Sequence, residues 1–94
     1  MSKSPKSYKY FLSIKARDDY QYWERNNPKQ IIRIAKLIEG IISSPYTGIG
    51  KPKALGHDYQ GAWSRRIDSV HRIVYEVDGE TIYFISMRGH YGDK

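Results

Sequence analysis

Near Pro45 the apolar residues of this chain change from a helical period to a strand period, and that switch restricts the fold more than any other feature of the sequence. Before it, Ala16, Tyr20 and Trp23 recur at i, i+4 and i+7, and Ile31, Ile34, Ala35, Ile38, Ile41 and Ile42 form a second apolar stripe. Asn26-Asn27-Pro28 separates the two stretches, with Asn27 suited to cap a helix and Pro28 to begin one, and Ser43-Ser44-Pro45 ends the second. After the switch, Ala62 to Ile67, His71 to Val77 and Thr81 to Met87 alternate with period two, and Asp78-Gly79 is a hairpin turn between the last two. Tyr8 to Ile14 also alternates and reads as a first strand available to the same sheet. The predicted class is α+β: two N-terminal helices packed on a small, mainly antiparallel twisted sheet. Residues 1–7 read as a disordered lead-in, and residues 8–94 as a single domain.

The rest of the composition narrows the chemistry. A chain of 94 residues can bury one modest core, and without cysteine it has neither a disulfide nor a thiolate metal site. Its three histidines, at 57, 71 and 90, lack the paired spacing of a zinc site, so neither a metal nor another cofactor is expected. No apolar run is long enough to span a membrane, and the N-terminus has no signal-peptide core. A cytoplasmic protein without a membrane partner is therefore the expectation. Sixteen Lys and Arg against ten Asp and Glu give a net charge of +6, which suits a polyanionic partner such as nucleic acid.

Strand parity then selects candidate side chains. In the strand from His71 to Val77, Arg72, Val74 and Glu76 share one face. An antiparallel hairpin about Asp78-Gly79 sets the start of this strand beside the end of the next, bringing Arg72 near His90 and Tyr91. Arginine, histidine and tyrosine together fit RNA cleavage through the substrate's own 2′-hydroxyl: one cation on phosphate, one proton carrier, one orienting phenol. On the adjacent strand, Trp63, Arg65 and Arg66 admit two readings. They stack on bases and contact phosphate, or else Trp63 is core and the arginines are solvated or paired with Asp68 and Glu76. Parity allows only one of the two arginines to point the way Arg72 does. Lys51, Lys53 and His57, in and after the Gly/Pro segment Pro45 to Pro52, can complete a basic rim. Tyr20, Tyr22 and Trp23, at helical spacing, read as packing or as an interface with a partner rather than as catalytic groups.

Taken together, Asp18 to Trp23, Gly48-Ile-Gly-Lys-Pro52, Gly61-Ala-Trp-Ser-Arg-Arg-Ile67, His71-Arg-Ile-Val-Tyr75 and the terminal His90-Tyr91 resemble the YoeB/Txe family of the RelE-like toxin superfamily. The resemblance runs from about residue 8 to residue 91. It implies a RelE-like, microbial RNase-like fold and a metal-independent endoribonuclease that cleaves mRNA in the A site of the 70S ribosome and so inhibits translation. It also implies a homodimer and a YefM-like antitoxin. By the same resemblance Arg72 stabilises the phosphate, His90 is the general acid, Tyr91 supports the site, Arg66 is a second active-site arginine, and His57 matches a frequent histidine after the loop.

Two positions depart from the family pattern. Lys53 stands where the family usually has the glutamate that takes the 2′-hydroxyl proton, and Gly56 stands where a lysine is common. Three readings of Lys53 stand open: a working lysine, as base or electrostatic stabiliser; a weakened or inactive toxin that still serves as an antitoxin-binding, autoregulatory module; or an inactivating substitution acquired in cloning.

Overall fold

The computed structural model describes residues 8–56 and 61–89. In chain order the elements are β1 (Lys9–Leu12), α1 (Ile14–Asn26), α2 (Pro28–Ser43), β2 (Lys53–Ala54), β3 (Ala62–Arg66), β4 (Arg72–Asp78) and β5 (Thr81–Ser86). The strands form one five-stranded sheet in the order β1-β5-β4-β3-β2, with β1 parallel to β5 and every other neighbouring pair antiparallel. The predicted α+β architecture, two N-terminal helices on a mainly antiparallel sheet, is the one observed. The two-residue strand β2 was too short to leave a periodic signal, and it edges the sheet just after the Gly/Pro segment Pro45 to Pro52. No helix among the described residues is long and apolar enough to cross a membrane.

Local chemistry explains the helix boundaries. Ser13 caps α1: its Oγ accepts from the Ala16 N–H at 2.9 Å and donates to the Ile85 carbonyl at 2.8 Å, fixing the helix start to β5. At the other end the Asn27 N–H donates to the Trp23 carbonyl, and Pro28 opens α2 at a position where a missing N–H costs nothing. Asn27 occupies the N-cap of α2 as predicted, but its side chain makes no capping hydrogen bond.

The core lies between the helices and one face of the sheet. Ala16, Trp23, Ile34, Leu37 and Ile41 pack against Ile67, Ile73, Tyr75, Ile82, Phe84 and Met87. The stripe predicted on α2 needs one correction: Leu37 is fully buried, whereas Ala35 is exposed. A helix turns about 100° per residue, so the row Ile34, Leu37, Ile41 centres the apolar face away from Ala35.

Leu37→Ala should therefore destabilise the protein by about 2 to 5 kcal/mol, and a polar substitution at Ala35 by no more than about 0.5 kcal/mol. Urea unfolding midpoints measure both; comparable losses at the two positions would contradict this helix register.

Candidate anion-binding site

The face of the sheet opposite the helices carries the charge. Arg66 on β3 pairs directly with Arg72 on β4, so the two side chains leave the same face side by side. The neighbouring row continues this face, with Lys53 opposite Ser64 and Ser64 opposite Val74. A register shift between Val74 and Tyr75 then brings Ser86 opposite Val74. Lys51, Pro52, Lys53, Ser64, Arg66 and Arg72 line a cleft of about 290 Å³. Four of these six residues are cationic and none is acidic. Like charges placed directly opposite on paired strands are destabilising, and an anion between Arg66 and Arg72 would relieve that repulsion. Arg72 Nη1 is buried and has no hydrogen-bond partner among the described residues.

The cleft wall is fixed from behind. Gly50 has φ of +84°, and a Cβ there would lie 2.7 Å from Leu37 Cδ2, so the loop can pass this point only as glycine. The Gly50 carbonyl accepts from the Arg66 N–H at 2.7 Å, and Lys51 follows in the left-handed region with φ of 53°. Arg33 on α2 donates through Nη2 to the Arg66 carbonyl at 3.1 Å and through Nε to the Ile67 carbonyl at 3.3 Å, holding the end of β3.

The turn from β3 to β4 is organised by Asp68, which accepts from the Val70 and His71 amides and from Gln30 Nε2. Burial pushes this carboxyl up, but the three hydrogen bonds outweigh it and hold Asp68 below the ordinary carboxylate value.

The candidates chosen from the sequence separate clearly. Lys51, Lys53, Arg66 and Arg72 meet in one cleft. Arg65, expected to contact RNA, is instead 0% exposed. Its guanidinium donates to the carbonyls of Ser44, Thr47 and Ile49 and to the Tyr75 hydroxyl, leaving it unavailable to a ligand. Its shared parity with Trp63 and Ile67 was the signal of this inward placement. Trp63 is half-buried on that same inward face, with its ring 5.0 Å from that of Tyr46, and does not line the cleft. Neither Arg65 nor Arg66 pairs with Asp68 or Glu76; Lys15–Asp19 is the ion pair found among the described residues. His57, His90 and Tyr91 lie outside the described residues. The Arg72 N–H donates to the Gly89 carbonyl at 3.1 Å, so the start of β4 does lie beside the chain that leads into His90.

Two helices on one face of a five-stranded sheet, with a cleft lined by four cationic side chains on the other, define a small α+β domain with a basic cleft. Residues 12–91 match the family described as YoeB-like toxin of bacterial type II toxin-antitoxin system, and the chain belongs to that family. Toxin YoeB of Streptomyces coelicolor is 40% identical over 74 residues, covering 79% of this chain and 88% of that protein. The solved structure of the YoeB dimer from Staphylococcus aureus superposes with a TM-score of 0.81 at 36% identity, covering 89% of this chain and 98% of that one. The YoeB–YefM complex from the same organism gives 0.80 at 38% identity, with the same coverage.

Two outcomes test this site's framework. Arg65→Met should cost about 2 to 4 kcal/mol in urea unfolding, because it leaves buried carbonyls unpaired, and Arg65→Lys should restore little of it. A change under about 0.5 kcal/mol would contradict the buried network. Because the folded Asp68 carboxyl is depressed, its stabilisation is present above the unfolded value, about 3.9, and is lost as pH falls through the folded one. The stability difference between wild type and Asp68→Asn should therefore shrink below about pH 4, and a difference that grows there would contradict the assignment.

Proposed function

We propose that this protein is a ribosome-dependent endoribonuclease toxin that cleaves mRNA in the A site, and that a YefM-like antitoxin restrains it. The observation that carries the reading is the directly opposed Arg66–Arg72 pair in a cleft lined by two further lysines and, among the described residues, no carboxylate. Such a cleft is built for a phosphodiester, whose negative charge grows as a fifth oxygen approaches phosphorus. In the proposed reaction the 2′-hydroxyl gives up its proton to solvent water as its oxygen attacks the adjacent phosphorus, the bond from phosphorus to the 5′-oxygen breaks, and a 2′,3′-cyclic phosphate forms. Arg72 and Arg66 take up the charge on the non-bridging oxygens. His90 delivers the proton that the departing 5′-oxygen needs, and Tyr91 supports it. Lys53, exposed on the cleft rim, adds positive charge to the transition state.

The family relationship supports the partners: one solved relative is a YoeB dimer and another is a YoeB–YefM complex. A homodimer that binds a YefM-like protein is therefore part of the proposal, as is a cytoplasmic site of action, where ribosomes are.

One observation favours a second reading, in which the protein retains the binding surface but cleaves weakly. Among the described residues no lining residue of the cleft is a carboxylate, the ordinary acceptor for the 2′-hydroxyl proton.

Programmed 70S ribosomes carrying end-labelled mRNA decide between the two. The nuclease reading expects A-site cleavage with a 2′,3′-cyclic or 3′-phosphate end, falling about 10² to 10³-fold in Arg72→Ala. Intact mRNA with the protein bound to the ribosome would contradict it. A gain of about 10² to 10⁴-fold in Lys53→Glu would establish the weakened form, whereas a loss would assign Lys53 to the working site.

A further inference from the structure

The residues just ahead of His90 are held with unusual completeness by groups that the proposed chemistry does not use. Asp19, buried on α1, accepts the Met87 N–H through Oδ2 at 2.9 Å, and Trp23 Nε1 donates to the Met87 carbonyl at 2.8 Å. The guanidinium of Arg88 lies 3.8 Å from the ring centroid of Tyr22. The Gly89 N–H donates to His71 Nδ1 at 2.9 Å, and the Gly89 carbonyl accepts from the Arg72 N–H at 3.1 Å. One face of α1, His71 and the first residue of β4 therefore hold Met87, Arg88 and Gly89 in turn. Gly89 itself has φ of +99°, a conformation that side-chain-bearing residues rarely adopt, so this anchor also redirects the chain.

His71 is the hinge of this arrangement. Its Nδ1 accepts a hydrogen bond, so that nitrogen carries no proton and the ring's hydrogen sits on Nε2. The ring is oriented edge-on to Trp23, with centroids 4.9 Å apart at 81°. Its backbone N–H is fixed by Asp68. The next residue is Arg72, so one short segment sets both the phosphate-binding arginine and the acceptor for Gly89.

We propose that His71 is a positioning residue: by accepting the Gly89 N–H at Nδ1, it fixes the Arg88–Gly89 peptide, while the Arg72 N–H holds the Gly89 carbonyl, so that Gly89 is set on both sides one residue ahead of His90. Its catalytic consequence rests on the nuclease reading above, because His71 itself touches no reacting atom. The structural consequence, an anchored Gly89, does not rest on it. Histidine serves here because an imidazole combines an aromatic edge for Trp23 with an acceptor at the right depth for Gly89.

The test compares wild type with His71→Phe, which keeps an aromatic ring against Trp23 but has no acceptor, and with His71→Asn, whose side-chain oxygen can replace Nδ1. In His71→Phe the Gly89 amide should exchange with solvent about tenfold faster, read by NMR; His71→Asn should return it to near the wild-type rate. On programmed ribosomes His71→Phe should lower kcat about 10 to 100-fold with KM within about twofold, and His71→Asn should recover most of kcat. Unchanged Gly89 exchange in a folded His71→Phe protein overturns the proposal, as does a lowered kcat that asparagine fails to rescue. Should phenylalanine prevent folding, the long-range ¹H–¹⁵N spectrum of wild-type His71 decides: hydrogen on Nε2 supports the anchor, and hydrogen on Nδ1 overturns it. If wild type leaves mRNA intact, the nuclease reading fails alone, because Gly89 exchange still decides whether His71 anchors the segment.

Discussion

The guanidinium of Arg65, buried beneath the Gly/Pro loop, is the interaction on which the cleft depends. Burying an unpaired cation costs several kcal/mol, and the fold offsets that cost with donor-by-donor pairing. Nη2 donates to the carbonyls of Ser44 and Thr47, Nη1 to that of Ile49, and Nε to the Tyr75 hydroxyl. Tyr75 in turn donates to the Pro45 carbonyl. Burial raises the Tyr75 hydroxyl above the ordinary phenol value, and the neighbouring Arg65 offsets part of that rise. Ser44 caps the C-terminal end of α2, where unpaired carbonyls carry partial negative charge, so a cation is favoured there. One side chain of β3 thereby joins the helix end, the loop and the central strand. The loop leaves this knot at Gly50 and delivers Lys51 and Lys53 to the opposite face of the sheet.

Adjacent residues in a strand point to opposite faces, and the Arg65-Arg66 pair uses this fully. Arg65 turns inward and becomes part of the framework; Arg66 turns outward and joins Arg72. Identical chemistry thus serves two purposes, separated by a single residue of register. A slip of one residue would bury Arg66 and expose Arg65, losing both the loop anchor and the cleft. The alternation that makes β3 foldable is therefore also what makes the site.

This explains what could be read from the sequence. The period switch at Pro45 and the Asp78-Gly79 turn were sufficient for the two helices, β3, β4, β5 and their antiparallel order, because period and turn chemistry are local properties. Parity allowed only one of Arg65 and Arg66 to share the face of Arg72, and the observed register makes it Arg66. Arg65 was legible in part: its parity with Trp63 and Ile67 pointed inward, but arginine is so seldom fully buried that residue type argued the other way. β2 was illegible because two residues carry no period. The anchoring of Met87 and Gly89 by Asp19, Trp23 and His71 was hidden for another reason, since these contacts span 18 to 68 positions of sequence and follow from helix placement. Family membership accounts for the motifs without stating which residue holds the framework and which faces the ligand; packing makes that distinction.

Lys53 leaves the cleft more cationic than a cleft carrying a glutamate in its place, which strengthens anion binding while removing an acceptor for a proton. Under the proposed function binding and cleavage are separable, and the division of labour between the arginines can be measured without turnover. The most direct measurement is an NMR titration of the arginine Nε–H signals with a short RNA ending in a 3′-phosphate. The account predicts that Arg66 and Arg72 shift together with one saturation curve while Arg65 stays fixed. A shift of the Arg65 signal with Arg66 and Arg72 unmoved would contradict it.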